Sequence, residues 1–230
     1  QSRLAAMGEM IGMIAHQWRQ PLTVISMDVN NMLLDIRLDD LDINNVKEYS
    51  NDILTQTQHL SETIDDFRNF FKPDKSASKV KMQEILESTY IIVKDSLTNN
   101  NIRLETSYES ESEVEAFKRE LMQVFVNIIT NAKDSLMQQK TEDACIGIRV
   151  FEDEESVITE ICDNGMGIDE LILSKVFDPY FSTKDEKTGT GLGLYMSKMI
   201  VEDHLHGKIE AFNQDIGACF RVKLYKPKEV

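Results

Sequence analysis

Two asparagines four residues apart form the first group of side chains that could do chemistry. Asn127 and Asn131 fall in residues 118–139, where the apolar spacing predicts a helix. Residues four apart share one helix face, so both amides would point the same way. An amide oxygen is a neutral hard ligand that suits Mg²⁺ shared with phosphate groups. Two solvent-facing asparagines remain the alternative on this pattern alone.

An aspartate followed by two glycines forms the second group. Asp163 comes directly after residues 157–162, which alternate as a strand does. At a strand end its carboxylate can accept a hydrogen bond from an adenine amino group, and Gly165 and Gly167 would let the backbone approach the base. Short glycine patterns are weak evidence, so an ordinary turn is the alternative.

An aromatic stretch that leads into a polar loop forms the third group. Residues 177–184 read Phe-Asp-Pro-Tyr-Phe-Ser-Thr-Lys. Such a loop could fold over a nucleotide as a short lid between Ser182 and Gly189, with Lys184 reaching a phosphate. A solvated surface loop is the alternative.

A glycine-rich segment forms the fourth group. Gly189, Gly191 and Gly193 alternate with Thr190 and Leu192 at the start of a helix predicted over 192–203. The exposed N–H groups and the positive end of the helix dipole suit phosphate oxygens. A Walker lysine and a surrounding βαβ unit are both missing, so neither a P-loop nor a Rossmann fold is indicated.

A histidine near the start of the chain is the last candidate. Apolar residues recur every three or four positions along residues 4–36 and mark a helix face that packs on partner helices. His16 lies off this stripe, so its imidazole is expected to face solvent or a docking partner. Pro21 follows it and is expected to bend the helix. Because surface histidines are common, His16 alone does not indicate a function.

The elements that carry His16 predict a helical hairpin. One helix is expected from about Ser2 to Arg37, and a second apolar series runs from Val46 to Phe71 after a turn at 38–42. A lone hairpin leaves one side of its apolar stripe wet, so two copies are expected to pair into a four-helix bundle. The alternative is a monomer whose hairpin packs on its own downstream domain.

The polar, aperiodic stretch after Phe71 predicts a domain boundary. We expect a helical hairpin at 1–72, a linker at 73–78 and a second domain at 79–230. The second domain is predicted to be α+β, with helices over one mostly antiparallel sheet. Its predicted helices cover 83–97, 118–139 and 192–203, and its predicted strands cover 102–106, 145–151, 157–162, 208–213 and 218–224.

Composition narrows the class of protein. Hydrophobic residues make up 41% and charged residues 28% of the 230 residues, as in soluble globular proteins. The net charge of −15 disfavours nucleic-acid binding, which needs a basic face. The chain shows no signal peptide and no apolar run that could span a bilayer. It begins already on a helical period, so we expect a fragment whose sensor or membrane segment lies upstream.

The cysteines and the remaining histidines are expected to be structural. Cys145, Cys162 and Cys219 are odd in number and widely spaced among strand-like neighbours, which predicts buried free thiols in a reducing compartment. The remaining histidines are His59, His204 and His206. The last two lie near a helix end, where histidine suits the dipole, and a metal pair there is the alternative.

In their order and separations, the four groups of the second domain resemble the asparagine, first glycine, phenylalanine and second glycine boxes of bacterial sensor histidine kinases. The stretch around His16 resembles that family's phosphoacceptor box. The resemblance covers essentially the whole chain. The residue sequences of the phosphoacceptor box and the asparagine box are similar to those of the subgroup of nitrogen-regulation kinases. It implies a dimeric four-helix bundle followed by an α+β sandwich that binds ATP, of the histidine kinase, Hsp90 and gyrase type.

Carried over to this sequence, the resemblance implies a role for each matching residue. His16 would be the phosphoacceptor, Asn131 the magnesium ligand and Asp163 the reader of adenine. The other implied nucleotide-binding residues are Asn127, Gly165, Gly167, Lys184, Gly189, Thr190, Gly191, Leu192 and Gly193. The implied cofactors are ATP and Mg²⁺, and the implied reaction is autophosphorylation of His16 followed by transfer to an aspartate of a response regulator.

One position departs from the family pattern. Many members carry an acidic residue after the phosphoacceptor histidine, whereas this chain has Gln17, which cannot act as a base. Either water or another carboxylate takes the imidazole proton, or transfer is slow. Two alternatives therefore stay open: an ATP-binding dimeric scaffold and a phosphatase-biased module with weak kinase activity. A separate alternative is an ATPase of the chaperone or topoisomerase type, against which the exposed His16 on a dimerising hairpin argues.

The resemblance also implies the partners. We expect a homodimer and a response regulator receiver domain, no nucleic acid, and contact with a membrane only through a missing upstream segment. The expected location is the cytoplasm, as the catalytic core of a bacterial sensor.

Overall fold

The computed structural model describes residues 2–39, 42–71, 76–183, 191–214 and 217–227. Within the first two helices, the side chains of residues 2–17, Gln20, His59 and 62–71 lie outside the described part. The chain divides into a helical unit built on residues 1–72 and a mixed unit built on residues 73–182 and 191–230.

The helical unit is a hairpin of two long helices, α1 (Ser2–Arg37) and α2 (Ile43–Phe71). Helix α1 continues through Pro21. Helix α2 begins three residues before its predicted start, because Asp42 caps it. The Asp42 carboxylate accepts a hydrogen bond from the Asn44 N–H at 2.9 Å, and the Asp42 carbonyl accepts one from the Val46 N–H at 3.0 Å.

The face that α1 turns away from solvent shares Ile25 and Met32 with the predicted apolar stripe but differs from it at other positions. On α2 the less exposed face follows the predicted series, except that Gln56 takes the place of Thr57. Leu22, Val29 and Ile36 belong to the predicted stripe but are 49%, 42% and 58% exposed. Asp28 and Gln56, which the prediction left out, are buried at 8% and 7% exposure. The less exposed positions recur at heptad spacing: Pro21, Ile25, Asp28, Met32 and Asp35 on α1, and Val46, Tyr49, Ile53, Gln56 and Leu60 on α2.

The less exposed faces of α1 and α2, called here the seam of the hairpin, are therefore partly polar. One carboxylate oxygen each of Asp28 and Asp35 is buried without a hydrogen-bond partner among the described residues. Burial raises the pKa of Tyr49, and the nearby carboxylates of Asp35 and Asp28 raise it further. The apolar residues displaced from this seam form an exposed outer stripe, defined here as Leu22, Val29 and Ile36.

The mixed unit has seven strands and four further helices within the described residues. The strands are β1 (Ser78–Lys81), β2 (Arg103–Tyr108), β3 (Glu113–Ala116), β4 (Cys145–Glu152), β5 (Ser156–Asp163), β6 (Lys208–Gln214) and β7 (Gly217–Tyr225). The helices are α3 (Met82–Asn99), α4 (Lys118–Gln139), α5 (Glu170–Leu173) and α6 (Gly193–Lys198), which continues as a π-helical segment over Met199–His204.

The sheet topology agrees with a mostly antiparallel α+β domain. Five strands form one sheet in the order β2-β4-β5-β7-β6, in which only the β2–β4 pair is parallel. Strands β1 and β3 pair antiparallel in a separate two-stranded sheet. Neither strand was predicted, because four residues are too few to establish an alternating pattern. Strand β1 begins at Ser78, the last residue of the expected linker.

The apolar core of the mixed unit is built from buried side chains of that unit. The apolar face of α4 contributes Leu121, Val124, Phe125 and Ile128, all 0% exposed. Buried residues of α3, the sheet and α6 complete the core, among them Ile85, Ile146, Ile161, Met196 and Val222. In the first turn of α4, the carboxylate of Glu120 lies 2.8 Å from Nδ1 of His204 on the π-helical segment.

The expectation of three free thiols is wrong for two of the cysteines. Cys162 on β5 and Cys219 on β7 form a disulfide, with Cα atoms 4.1 Å apart and directly opposite each other in the antiparallel register. They are 57 residues apart in sequence, so only strand pairing reveals that they meet. Cys145 is a free thiol whose pKa is raised, chiefly by burial. In the described part of the chain, no helix has the length and apolarity needed to cross a membrane.

Candidate nucleotide-binding site

The Asp163 carboxylate sits at the end of β5 and is held by the backbone. It is 8% exposed, and its Oδ1 accepts hydrogen bonds from the N–H groups of Gly165 at 2.9 Å and Ala218 at 3.3 Å. Among the described residues no hydrogen bond reaches Oδ2. Burial raises the pKa of Asp163, and the two N–H groups oppose that rise. The carboxylate is thus fixed through one oxygen, and the other can accept from a ligand.

The start of β7 passes directly against Asp163. A Cβ atom at Gly217 would lie 1.6 Å from the Asp163 carbonyl oxygen, so no other residue fits at position 217 without moving the backbone. This close approach brings the Ala218 N–H within reach of the Asp163 carboxylate. Gly217 was not among the predicted site residues, because an isolated glycine at a strand start carries no chemical signal.

The two asparagines of α4 differ in their surroundings. The side-chain N–H₂ of Asn127 donates to the Gly193 carbonyl at 3.1 Å and to the Ser197 hydroxyl at 3.3 Å. It therefore joins α4 to the first turn of α6, the helix that the second glycine box opens. Asn131 lies one turn further along the same face of α4 and is partly exposed.

The ends of the expected lid are joined at its base. The Tyr180 N–H donates to the Gly191 carbonyl at 3.0 Å. Gly191 has a φ of +63°, and a Cβ atom there would lie 2.4 Å from the Tyr180 carbonyl carbon. A glycine is required at position 191 for both reasons.

The aromatic box packs into the domain. The Phe177 ring meets the Phe220 ring edge to face, with centroids 6.1 Å apart, and Lys198 Nζ lies 5.9 Å from the Phe177 centroid. Burial raises the pKa of Tyr180, and its hydroxyl has no partner among the described residues. Phe177 thus anchors one side of the lid base to the sheet.

The described residues contain only part of the predicted site. Lys184, Gly189 and Thr190 lie outside them, and so does the side chain of His16, whose backbone is part of α1. Leu192 is buried at 3% exposure, so it contributes to the core. A Cβ atom at Gly193 would make only ordinary contact with Asn127, at 3.7 Å.

Three side chains that support this site were not predicted from the sequence. Ser197 receives the Asn127 amide, Gln139 receives the Met166 N–H, and Asn213 bonds the backbone of Ile168. None has a type or spacing that indicates a site, and each acts through the backbone or another side chain. A polar residue within an otherwise apolar helix face, such as Ser197, was the one available signal.

Comparison with known families assigns both units. The model of the histidine kinase-, DNA gyrase B- and HSP90-like ATPases matches residues 117–228. The model of the His Kinase A (phospho-acceptor) domain matches residues 6–76. Together these matches include every predicted site residue.

Individual relatives agree with these matches. Sporulation kinase A of Bacillus subtilis is 29% identical over 97% of this chain and 35% of its own length. The signal transduction histidine-protein kinase AtoS of Escherichia coli is 30% identical over 88% of this chain and 32% of its own length. The crystal structure of histidine kinase ThkA in complex with response regulator protein TrrA matches with a TM-score of 0.71 at 24% identity, covering 98% of this chain and 64% of that one.

The chain belongs to the sensor histidine kinases of bacterial two-component systems. The predicted family is confirmed, and so is the predicted order of a helical region followed by a mixed α/β ATP-binding domain. The chain spans about a third of the length of the curated relatives described above. The nitrogen-regulation subgroup stays a prediction.

Proposed function

We propose that this chain is the catalytic core of a sensor histidine kinase. It phosphorylates His16 with ATP and passes the phosphoryl group to an aspartate of a response regulator. One observation carries the proposal: the chain joins a histidine on a helix matched by the phospho-acceptor model to a fixed, buried carboxylate in a unit matched by the ATPase model.

Asp163 supports adenine as the base that is bound. Its Oδ1 is occupied by two backbone N–H groups, so Oδ2 is left to accept the hydrogen bond of an amino group. Adenine carries such a group, whereas guanine presents a carbonyl oxygen at that ring position, which an ionised carboxylate would repel. We assign Gly165 and Gly167 to the same loop.

The polar side chains of α4 and the second glycine box are proposed to hold the phosphates. Asn131 would hold Mg²⁺ together with the nucleotide phosphates, and the ion would supply charge neutralisation when bound. Asn127 fixes the start of α6 relative to Asn131. The other residues proposed to bind the nucleotide are Lys184, Gly189, Thr190, Gly191, Gly193 and, through its backbone, Leu192.

The proposed reaction is an in-line displacement at phosphorus. An imidazole nitrogen of His16 forms a bond to the γ-phosphorus, the bond from that phosphorus to the β–γ bridging oxygen breaks, and ADP leaves. The proton of the imidazole passes to water or to another carboxylate, because Gln17 cannot accept it. Positioning and charge neutralisation supply most of the rate enhancement in such transfers.

The proposed partners follow from the hairpin. We assign residues 1–72 to dimerisation and phosphotransfer, 73–78 to a linker and 79–230 to catalysis. The exposed outer stripe of Leu22, Val29 and Ile36 supports a homodimer, because a second copy would remove it from water. That ThkA was crystallised with a response regulator supports a receiver domain as the second partner. A cytoplasmic location is proposed with these partners.

The dimer has its own test. Val29→Glu places a charge in the outer stripe and is expected to shift the protein to monomer in analytical ultracentrifugation. Asn30→Glu adds the same charge at the next exposed position of α1 and is the matched control. Equal sedimentation of both variants and wild type would argue against this face.

Labelling with γ-³²P ATP and Mg²⁺ tests the proposed activity. We expect acid-labile, alkali-stable phosphate on the wild-type chain, none on His16→Ala, and wild-type label on His59→Ala, the matched histidine control. Addition of a receiver domain should then discharge the label. Bound ATP without label on the wild type would instead support the scaffold or phosphatase-biased alternative, which the comparisons do not favour.

A further inference from the structure

The loop after Asp163 leaves the sheet after one backbone bond, in which the Asn164 N–H donates to the Cys145 carbonyl of β4 at 3.2 Å. Beyond Asn164 its N–H groups depend on side chains. The Gly165 N–H donates to Asp163 Oδ1 at 2.9 Å, and the Met166 N–H donates to Gln139 Oε1 at 2.7 Å. The Ile168 N–H donates to Asn213 Oδ1 at 2.7 Å. We call residues 164–168 the adenine loop. Three of its N–H groups are thus paired with side chains from β5, α4 and β6.

Asn213 makes the more complete of the two amide contacts. Besides accepting from the Ile168 N–H, it donates its own N–H₂ to the Ile168 carbonyl at 2.6 Å. A side-chain amide that pairs with both groups of one residue imitates a rung of a β-ladder. Asn213 lies near the end of β6, so this contact ties the adenine loop to the edge strand of the sheet.

Gln139 holds the loop from the other side. It lies at the last position of α4 and donates its own N–H₂ to the Ser135 hydroxyl at 3.1 Å. That second bond fixes which way its oxygen points, so the acceptor faces the Met166 N–H. The Met166 side chain is 81% exposed, so the backbone contact rather than packing places this residue.

The two glycines of the loop are explained by these amides. A Cβ atom at Gly165 would lie 2.7 Å from Gln139 Oε1, and one at Gly167 would lie 2.7 Å from Asn213 Oδ1. Each glycine therefore makes room for the amide that binds the N–H of the next residue. Gly167 also has a φ of +76°, which disfavours any side chain there.

We propose that Asn213 and Gln139 are positioning residues that hold the adenine loop in its nucleotide-binding shape before ATP arrives. Neither needs to touch the nucleotide, because each acts through the loop backbone. A loop that is already ordered does not lose that conformational freedom on binding, so affinity is higher. The inference rests on the proposed function, because it concerns the same adenine site.

Calorimetric titration with ADP and Mg²⁺ tests the proposal on the full 230-residue chain. Asn213→Ala removes both bonds to Ile168, and we expect the Kd for ADP to rise about tenfold, which corresponds to ~1.4 kcal/mol. Gln139→Ala removes one bond and should raise the Kd by a smaller factor. Asn100→Ala removes a surface amide that bonds only the Ser96 carbonyl of its own helix, and it is the matched control.

Two further readouts separate positioning from general loss of structure. In the labelling assay, Asn213→Ala should raise the KM for ATP while kcat at saturating ATP stays near the wild-type value. Hydrogen exchange of the Ile168 amide should speed up while amides of β7 keep their protection. Asn213→Asp keeps the acceptor for the Ile168 N–H but turns an oxygen toward the Ile168 carbonyl, which Asn213 Nδ2 contacts at 2.6 Å, so its Kd should also rise above that of wild type.

The outcomes distinguish this inference from the proposed function. If wild type binds ADP and Asn213→Ala and Gln139→Ala both bind within twofold of it, the positioning role is wrong and the kinase proposal stands. If Asn213→Ala lowers kcat and KM is unchanged, the role is also wrong. If wild type does not bind ADP, the nucleotide site itself is wrong, and this inference falls with it.

Discussion

The two units of this chain differ in how they treat their apolar side chains. The mixed unit encloses its large side chains, and Phe125, Ile128 and Leu121 have no exposed surface. The hairpin instead buries Asp28 and Gln56 between its helices and leaves Leu22, Val29 and Ile36 facing outward. The mixed unit is therefore complete in itself, whereas the hairpin leaves apolar residues exposed that the proposed second copy would cover.

The largest expected effect is confined to the self-contained unit. Phe125→Ala empties a fully buried position of α4 and should lower the free energy of unfolding of the mixed unit by about 3–5 kcal/mol. Chemical denaturation followed by fluorescence should show the same loss at every protein concentration. The hairpin transition should instead move with concentration, because association stabilises only the paired form. If dilution moved both transitions equally, the proposed difference between a self-contained mixed unit and an associating hairpin would be wrong.

Reduction of the disulfide should weaken the mixed unit next. A cross-link between Cys162 and Cys219, 57 residues apart, restricts the unfolded chain and contributes about 2–4 kcal/mol. A dithiol reductant should therefore lower the melting temperature of wild type and raise the number of titratable thiols from one to three. In the Cys162→Ser/Cys219→Ser double variant, the reductant should change nothing, whereas Cys145→Ser should respond as wild type does.

Asp163→Asn should separate binding from stability within the mixed unit. The asparagine oxygen can still accept from the backbone N–H groups, but its N–H₂ meets the adenine amino group donor to donor. Loss of a charged hydrogen bond of ~1.5–3 kcal/mol should weaken ADP binding by about 10–100-fold. Calorimetry measures this loss, and Glu142→Gln, which removes one exposed negative charge from the same unit, is the matched control.

The same variant should change the pH dependence of stability in a defined direction. Burial holds the pKa of Asp163 above its usual value, so the folded state binds the proton more tightly than the unfolded chain. This contribution is fully present below the unfolded pKa and is lost as pH rises through the folded pKa. At pH 7 Asp163→Asn should therefore melt no lower than wild type. A clear drop in melting temperature at neutral pH would contradict this account of the buried carboxylate.

The smallest effect expected is a gain in the hairpin. Asp28→Leu replaces a buried carboxylate, one oxygen of which has no described partner, and should stabilise the hairpin by about 1–2 kcal/mol. Asn30→Leu gives the same gain in helix propensity at an exposed site and is the matched control. Thermal unfolding monitored by circular dichroism compares the two. Equal shifts would mean that the polar seam costs nothing.

The sequence predicted the longer elements and the candidate site residues because both follow from local pattern, whereas the four-residue elements β1, β3 and α5 were not predicted. Spacing along α4 and alternation along β5 are visible in a single stretch, and Asp163 stands out because two glycines follow it. What it could not predict depends on strand register and on which helix face turns inward. Cys162 meets Cys219 only because β5 and β7 pair, and Asn213 reaches Ile168 only because β6 ends beside the loop.

The hairpin shows the same limit in a helix. Steps of three and four along α1 fit more than one stripe, and a stripe that includes Val29 differs by about one position from the one that includes Asp28. Hydrophobicity favoured Val29 for the seam, but the packing of α1 against α2 buries Asp28. A sequence cannot show which apolar residues a helix reserves for a second partner, since both faces look like core.

The bond between Tyr180 and Gly191 has a consequence for how the length of the lid can vary. Because this bond closes the base, residues 183–190 begin and end at points that the domain already fixes. The entropic cost of such a closed loop grows only slowly, by about 0.6 kcal/mol for each doubling of its length. Insertions between these two points should therefore leave the fold intact, which makes this position suitable for inserting an engineered reporter domain.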